Sequence, residues 1–255
     1  MRKDRQIPLL ACCEWMDRTH TELVSAVPRP TSVSVKGRQT FRFGEQTAET
    51  LVVAKLARIA SGLRAALLLA EAGLFQEQSS LCRLVDEYQE DVAFFALGMA
   101  EGKLTRLHSE YLEAFFAEQT SAKDPRTDWV KGRNLVPRKK IRAYLANHDL
   151  TPPNPSDHIA VSGLIANTLS GFVHAAADQV MEMYDPCSGR FLTDGHSGTE
   201  IGASYEIDLE NYFVRGLYAF AFGAAALSHW DLSRLAREYG DMIDEKSNQK
   251  RPGHV

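Results

Sequence analysis

The sequence has no paired cysteine motif, no long apolar run, no excess of one charge and no internal repeat, and each absence removes a class of protein. Its four cysteines are Cys12, Cys13, Cys82 and Cys187. None forms a C-x-x-C, which argues against a zinc knuckle or a disulfide framework and for the reduced thiols of a cytosolic protein. The net charge of −4 is not the global basic signature of nucleic-acid binders. The most apolar stretch, Leu217 to Leu227, lies between Arg215 and His229. It falls short of the ~20 residues that cross a bilayer, so it reads as a buried helix and no membrane partner is expected. The charged start, Met1 to Arg5, is followed by a short apolar run broken by Glu14 and Asp17, which does not read as a secretion signal. No segment recurs at a fixed period, which argues against a solenoid.

What is present is the material of one helical core. Hydrophobic content of 44% with 24% charged residues is ordinary for a globular domain. Helical spacing of apolar residues predicts helices over Leu9–Ala26, Glu45–Gly73, Gln76–Glu101 and Leu104–Gln119, with Gly73 and Gly102 as breaks. A short helix from Pro137 to Asn147 should follow, then a long one from Ser156 to Tyr184 capped by Ser156 and Asp157. The stretch 185–204 reads as irregular, a last long helix as Ile207–Tyr239, and the residues from Asp244 onward as a polar tail. Val33 and Val35 alternate with serines, and Phe41 and Phe43 flank Arg42, so 31–44 reads as a small β-hairpin or an extended basic arm. The fold expected is all-α, a single domain of five or six major helices. Its parts are 1–44, 45–119, a basic linker and short helix over 120–155, 156–240, and 241–255.

Few residues are arranged for chemistry. A carboxylate-bridged metal pair needs Glu-x-x-His on two helices; no such pair exists here, and Asp17 with His20 is the single acidic variant. No metal or cofactor is expected. Metal-independent ribonucleases of the HEPN group carry Arg, four to six residues, then His: the cation stabilises a phosphate oxyanion while the imidazole moves a proton. Arg142 with His148 and Arg190 with His196 have this spacing, although about two matches arise by chance in a chain of this composition. Ala143 and Phe191 stand where that group prefers a polar residue.

A third constellation lies inside helices that otherwise look buried. Arg83 and Glu87 are one turn apart, with Glu90 and Asp91 extending the acidic surface, and His174 and Asp178 share the same spacing in a later helix. If those helices pack, Arg83, Glu87, His174 and Asp178 converge on one polar cluster, which ion pairing alone would explain as well as catalysis. The segment Thr120–Arg142 carries eight cations against Asp124 and Asp128, whereas Val85–Glu118 carries eight carboxylates. The two either face each other or face solvent, and Trp129 and Tyr144 are the only nearby aromatics for base stacking.

The stretch Ser80-Leu81-Cys82-Arg83-Leu84-Val85-Asp86-Glu87-Tyr88 resembles the R-x-x-x-E helix of an uncharacterised, all-helical family of bacterial proteins. Leu169-Ser170-Gly171-Phe172-Val173-His174 is similar to the second signature of that family, S-x-x-x-H. The resemblance spans roughly Glu45 to Ser204 and implies the helical fold, a role for Arg83, Glu87 and His174, and a setting among bacterial defence and stress genes. The function expected is a non-enzymatic helical module that binds a protein partner or self-associates. The alternative is a HEPN-like ribonuclease acting on RNA through Arg142 and His148 or through the Arg83 cluster.

Overall fold

Thr47 starts the central helix. Its hydroxyl accepts the Thr50 amide at 3.3 Å, and Thr50 Oγ1 accepts the Thr47 amide at 3.0 Å, so two otherwise orphaned donors are satisfied. The computed structural model describes residues 1, 3–35, 37–117, 136–148 and 155–249. Its elements are α1 (Lys3–Val24), β1 (Thr31–Val35), β2 (Arg38–Arg42), α2 (Ala48–Glu71), α3 (Phe75–Ala100), α4 (Arg106–Phe116), α5 (Arg138–Ala146), α6 (Pro155–Val173), α7 (Ala177–Met181), β3 (Tyr184–Asp185), β4 (Arg190–Phe191), α8 (Glu200–Ala226) and α9 (Trp230–Gln249). The two strand pairs are separate antiparallel ribbons. The protein is all-α with a small hairpin, and six of its helices are long: α1, α2, α3, α6, α8 and α9.

The core is the meeting of α2, α3 and α8, with α1 and α9 laid against it. Leu51, Leu56, Ile59 and Leu63 of α2 are fully buried, as are Phe94 and Phe95 of α3 and Phe213 and Phe220 of α8. Gly216 and Gly223 let α8 approach α2, since added Cβ atoms would stand 2.5 Å from Leu63 Cδ1 and 2.7 Å from Leu56 Cδ1. Contacts give the directions. Gln6 donates to Glu71 and Asp17 pairs with Arg64, so α1 and α2 run antiparallel. Phe75 stacks on Tyr205 and Gln89 Nε2 donates to the Tyr212 carbonyl, so α3 and α8 run parallel.

Several boundaries differ from the sequence reading, each for a local reason. Helix α1 starts at Lys3 and continues through Pro8, because Arg5 is buried beside Glu210 of α8 and the amino terminus lies 3.5 Å from Glu206. The helix expected over 156–184 is broken: Ala175 takes φ +51° and α7 turns back, its Gln179 side chain filling the space beside Gly171. Gly163, by contrast, faces open space. The last helix starts earlier, where the Thr199 hydroxyl accepts the Gly202 amide, and is split at Ser228, φ +63°. Leu84 of α3, within the apolar spacing that predicts this helix, lies 41% exposed. Helix α6 starts at Pro155, a residue before the expected cap; that cap's side chains lie outside the described residues, as do residues 120–135 of the basic segment.

Helix α4 is pinned through His108, which is fully buried. Its Nδ1 accepts the Thr105 amide at 3.1 Å, which places the proton on Nε2, and Nε2 donates to the Phe94 carbonyl at 3.0 Å. Burial lowers its pKa below the ordinary 6.5, against the opposing pull of the Phe94 carbonyl. The ring is therefore neutral in the fold while the unfolded chain takes up a proton near pH 6.5, so its contribution is present above that pH and lost as pH falls through it. Urea unfolding between about pH 7.5 and 5.5 should show the midpoint falling. His108→Gln should be less stable at the upper pH and lose part of that slope.

Candidate functional site

The residue that organises the polar interior is Asp91, on the side of α3 facing α2. It is 1% exposed. Its Oδ2 takes Lys55 Nζ at 2.7 Å and the Tyr111 hydroxyl, and its Oδ1 takes Arg138 Nη1. Lys55 also stands 4.9 Å from the Tyr88 ring centroid, 5.2 Å from Phe115 and 5.6 Å from Tyr111, a cation set among aromatic faces. Arg138 reaches the Glu90 carboxylate and donates to the Glu87 carbonyl at 3.0 Å, while Arg142 Nε donates to Glu90 Oε1 at 2.7 Å. Burial alone would lower the Arg138 pKa, but the Asp91 and Glu90 charges outweigh it and raise the pKa above its ordinary value. The start of the short basic helix thus meets the acidic stretch of α3.

This placement decides what the candidate pairs can do. Arg142 is buried on Glu90, while His148 lies two residues beyond α5 with Nε2 3.2 Å from Glu101 and its ring stacked on Tyr144. Glu90 and Glu101 are eleven positions apart on α3, about 16 Å of helix rise, so the two side chains engage different places. Arg190 lies 3.8 Å from Asp194 on the surface, and His196 is buried in the loop that docks on Gly73, its amide donating to the Gly73 carbonyl. Arg83 pairs with Glu87 at 2.6 Å. His174 and Asp178 are exposed and stand on either side of the Ala175 break, so their spacing of four is not a helical turn. No described hydrogen bond or ion pair joins them to Arg83 or Glu87. Asp17 pairs with Arg64, and His20 lies 3.0 Å from the Val53 carbonyl. Among the described residues no group of three or more His, Cys, Asp or Glu is placed to hold a metal ion.

A cleft of about 730 Å³ lies elsewhere, between α3, α6 and α8. Ile165, Leu169 and Phe172 of α6 face Cys82 of α3 and Tyr212 of α8 across it, and Leu164 stands at its rim, 66% exposed. Gln78 Nε2 donates to the Tyr205 carbonyl at 3.3 Å, and the Tyr205 hydroxyl donates to Glu182. Glu182, Asp208 and Asp244 line the cleft against one cation, Arg215, itself paired with Asp86. Burial pushes the Cys82 thiol far up; burial, then the Glu182 hydrogen bond, does the same to the Tyr205 phenol, and burial raises Tyr212.

Sequence reasoning had named Arg83, Glu90, Asp91 and the basic residues, but not Lys55 or the Gln78–Tyr205 wall. The signal for Lys55 was one lysine in an otherwise apolar run of α2; the wall was hidden because Ser204 had been read as the end of a loop. Comparison with protein-family models, curated proteins and solved structures gives no match for this chain. The helical resemblance and the HEPN-like spacing rest on the residues alone.

Removing one partner of a buried ion pair strands the other. Asp91→Asn keeps the shape but leaves Lys55 and Arg138 without their shared carboxylate, and should destabilise the fold by about 3–5 kcal/mol in denaturant titration. Glu87→Gln, on a half-exposed pair within one helix, should cost no more than about 0.5 kcal/mol.

Proposed function

We propose that this chain is a non-enzymatic helical interaction module whose binding surface is the outer face of α6 and the cleft beneath it. The observation that carries the reading is α6 itself. From Ile159 to Val173 the helix has no charged residue, yet Leu164 and Val173 are 66% and 47% exposed. Leucine and valine on an uncharged helix are normally covered, and depletion of charge is what marks the centre of an interface, where the exposed Asn167 and Thr168 would add hydrogen bonds. The 730 Å³ cleft beside that face gives an inserted side chain somewhere to go. Its carboxylate majority favours a partner helix with an apolar face and a basic edge; a second copy of this chain is the other occupant the face suits.

The ribonuclease reading draws less support. It needs an arginine and a histidine converging on one open cleft, and Arg142 and His148 are held by separate carboxylates of α3.

Light scattering behind a sizing column, together with a tagged pull-down, tests the proposal. The wild-type chain should run as an oligomer or retain a partner, and Leu164→Glu should abolish either without changing the helical circular dichroism. A wild-type chain that is monomeric at about 100 µM, far above the micromolar range of ordinary interfaces, and retains nothing in the pull-down would overturn it. So would an oligomer or partner that Leu164→Glu leaves intact.

A further inference from the structure

Gln78 of α3 forms part of the wall of the cleft between α3, α6 and α8 and is 1% exposed. Its Nε2 donates to the Tyr205 carbonyl at 3.3 Å. A carbonyl takes only a donor, so this bond fixes the amide and leaves Oε1 as its acceptor end. Among the described residues no hydrogen-bond partner meets that oxygen. A buried acceptor without a donor is destabilising, and in a folded protein it calls for an explanation.

A second requirement lies at the other end of Tyr205. Glu182 is half-buried and accepts the Tyr205 hydroxyl, a neutral group. Among the described residues no ion pair joins Glu182 to a cation, and the cation of this cleft, Arg215, is held by Asp86. Asp208 adds to the negative field: burial and then its charge raise the Cys82 thiol, and burial, Glu182 and then Asp208 raise the Tyr205 phenol. Between these polar points the walls are apolar, with Ile165 and Phe172 of α6 facing Tyr212 of α8. A volume of about 730 Å³ with apolar walls and a few placed polar groups is the anatomy of a small-molecule site.

We infer that this cleft binds an arylalkylamine that carries a second donor at its far end, the ammonium on Glu182 and the far hydroxyl or N–H on Gln78 Oε1. Gln78 and Glu182 engage opposite ends of Tyr205, so one ammonium does not serve both, and the ligand has about the length of a tyrosine side chain. Both polar points ask for donors and the field asks for a cation, which sets anionic ligands aside. The site is complete within one chain and so does not depend on α6 finding a partner.

Calorimetric titration of the full chain tests the inference, with tyramine as the probe and two relatives as controls. Tyrosol, the same molecule with a hydroxyl in place of the ammonium, should bind about tenfold more weakly, as loss of a charged hydrogen bond does. Phenethylamine, which lacks the far hydroxyl, should bind about fivefold more weakly. Glu182→Gln keeps an acceptor for Tyr205, so the circular dichroism and melting temperature should hold while the preference for tyramine over tyrosol disappears. Gln78→Met should erase the preference over phenethylamine instead. Absence of saturable tyramine binding up to the order of 5 mM, in the range of the weakest specific complexes, overturns the inference. So does tyrosol or phenethylamine binding the wild-type chain as tightly as tyramine, a result that needs no variant to fold, or a Glu182→Gln chain that still prefers tyramine to tyrosol. A monomeric chain without partners that binds tyramine would overturn the interaction reading alone, and an oligomer that does not bind it would overturn this inference alone.

Discussion

The fold depends on a helix that carries polar side chains into the interior. Helix α3 carries Gln78, Asp86, Gln89 and Asp91 inside the protein, and a buried charge without a partner costs several kcal/mol. The neighbouring elements are arranged around that requirement. Helix α2 brings Lys55 to Asp91, α5 brings Arg138 and Arg142 to Asp91 and Glu90, and α8 brings Arg215 to Asp86. Gln78 and Gln89 reach α8 in a different way, donating to the carbonyls of Tyr205 and Tyr212. These bonds do what apolar contact cannot: each has one geometrically acceptable partner, so they fix the register of α3 against three other helices while aromatic and aliphatic packing supplies the adhesion.

Helix α5 is the clearest case. It is only Arg138–Ala146, too short to persist alone, and its mean composition is polar. It is held along its length instead. Arg138 and Arg142 grip Glu90 and Asp91 at one end, Tyr144 packs edge-on against Phe94 at 4.9 Å, and His148 meets Glu101 just past the other end. The helix therefore lies parallel to α3, with Arg138 and Arg142 turned inward and Lys139 and Lys140 exposed. A basic helix following a basic segment invites a reading as a phosphate-binding surface; here its first turn belongs to the internal charge balance of the protein.

The helices were legible in the sequence because their apolar spacing is regular and because Gly73 and Gly102 stop two of them cleanly, at φ +79° and +62°. The breaks at Ala175 and Ser228 were not, since both place an ordinary residue in the left-handed region where glycine is the usual signal. Nothing local marks Ala175. What decides it is tertiary: Gly171 leaves room for Gln179, and Gln76 of α3 donates to the Gln179 carbonyl at 2.8 Å. That one break also undid the expected cluster of Arg83, Glu87, His174 and Asp178, because it separates the last two by a turn of chain. The Arg83–Glu87 pair was readable for the opposite reason, being local to one helix.

The distribution of satisfied and uncovered groups also bears on what the protein does. In the interior, Asp86, Glu90 and Asp91 meet cations and burial keeps the Cys12, Cys13 and Cys82 thiols protonated, so the polar residues of α3 have structural work to do. The uncovered features lie at the periphery and differ in kind. Helix α6 has no charge from Ile159 to Val173 and shows leucine and valine to the outside, whereas the β1–β2 ribbon has four cations near it and one exposed phenylalanine. An uncharged helical face gains stability only when water is excluded from its apolar surface, which the solvent-facing side of α6 does not achieve within this chain. A core whose carboxylates are met by cations from three neighbouring helices leaves the exposed leucine and valine of α6 as apolar surface that the fold itself does not cover.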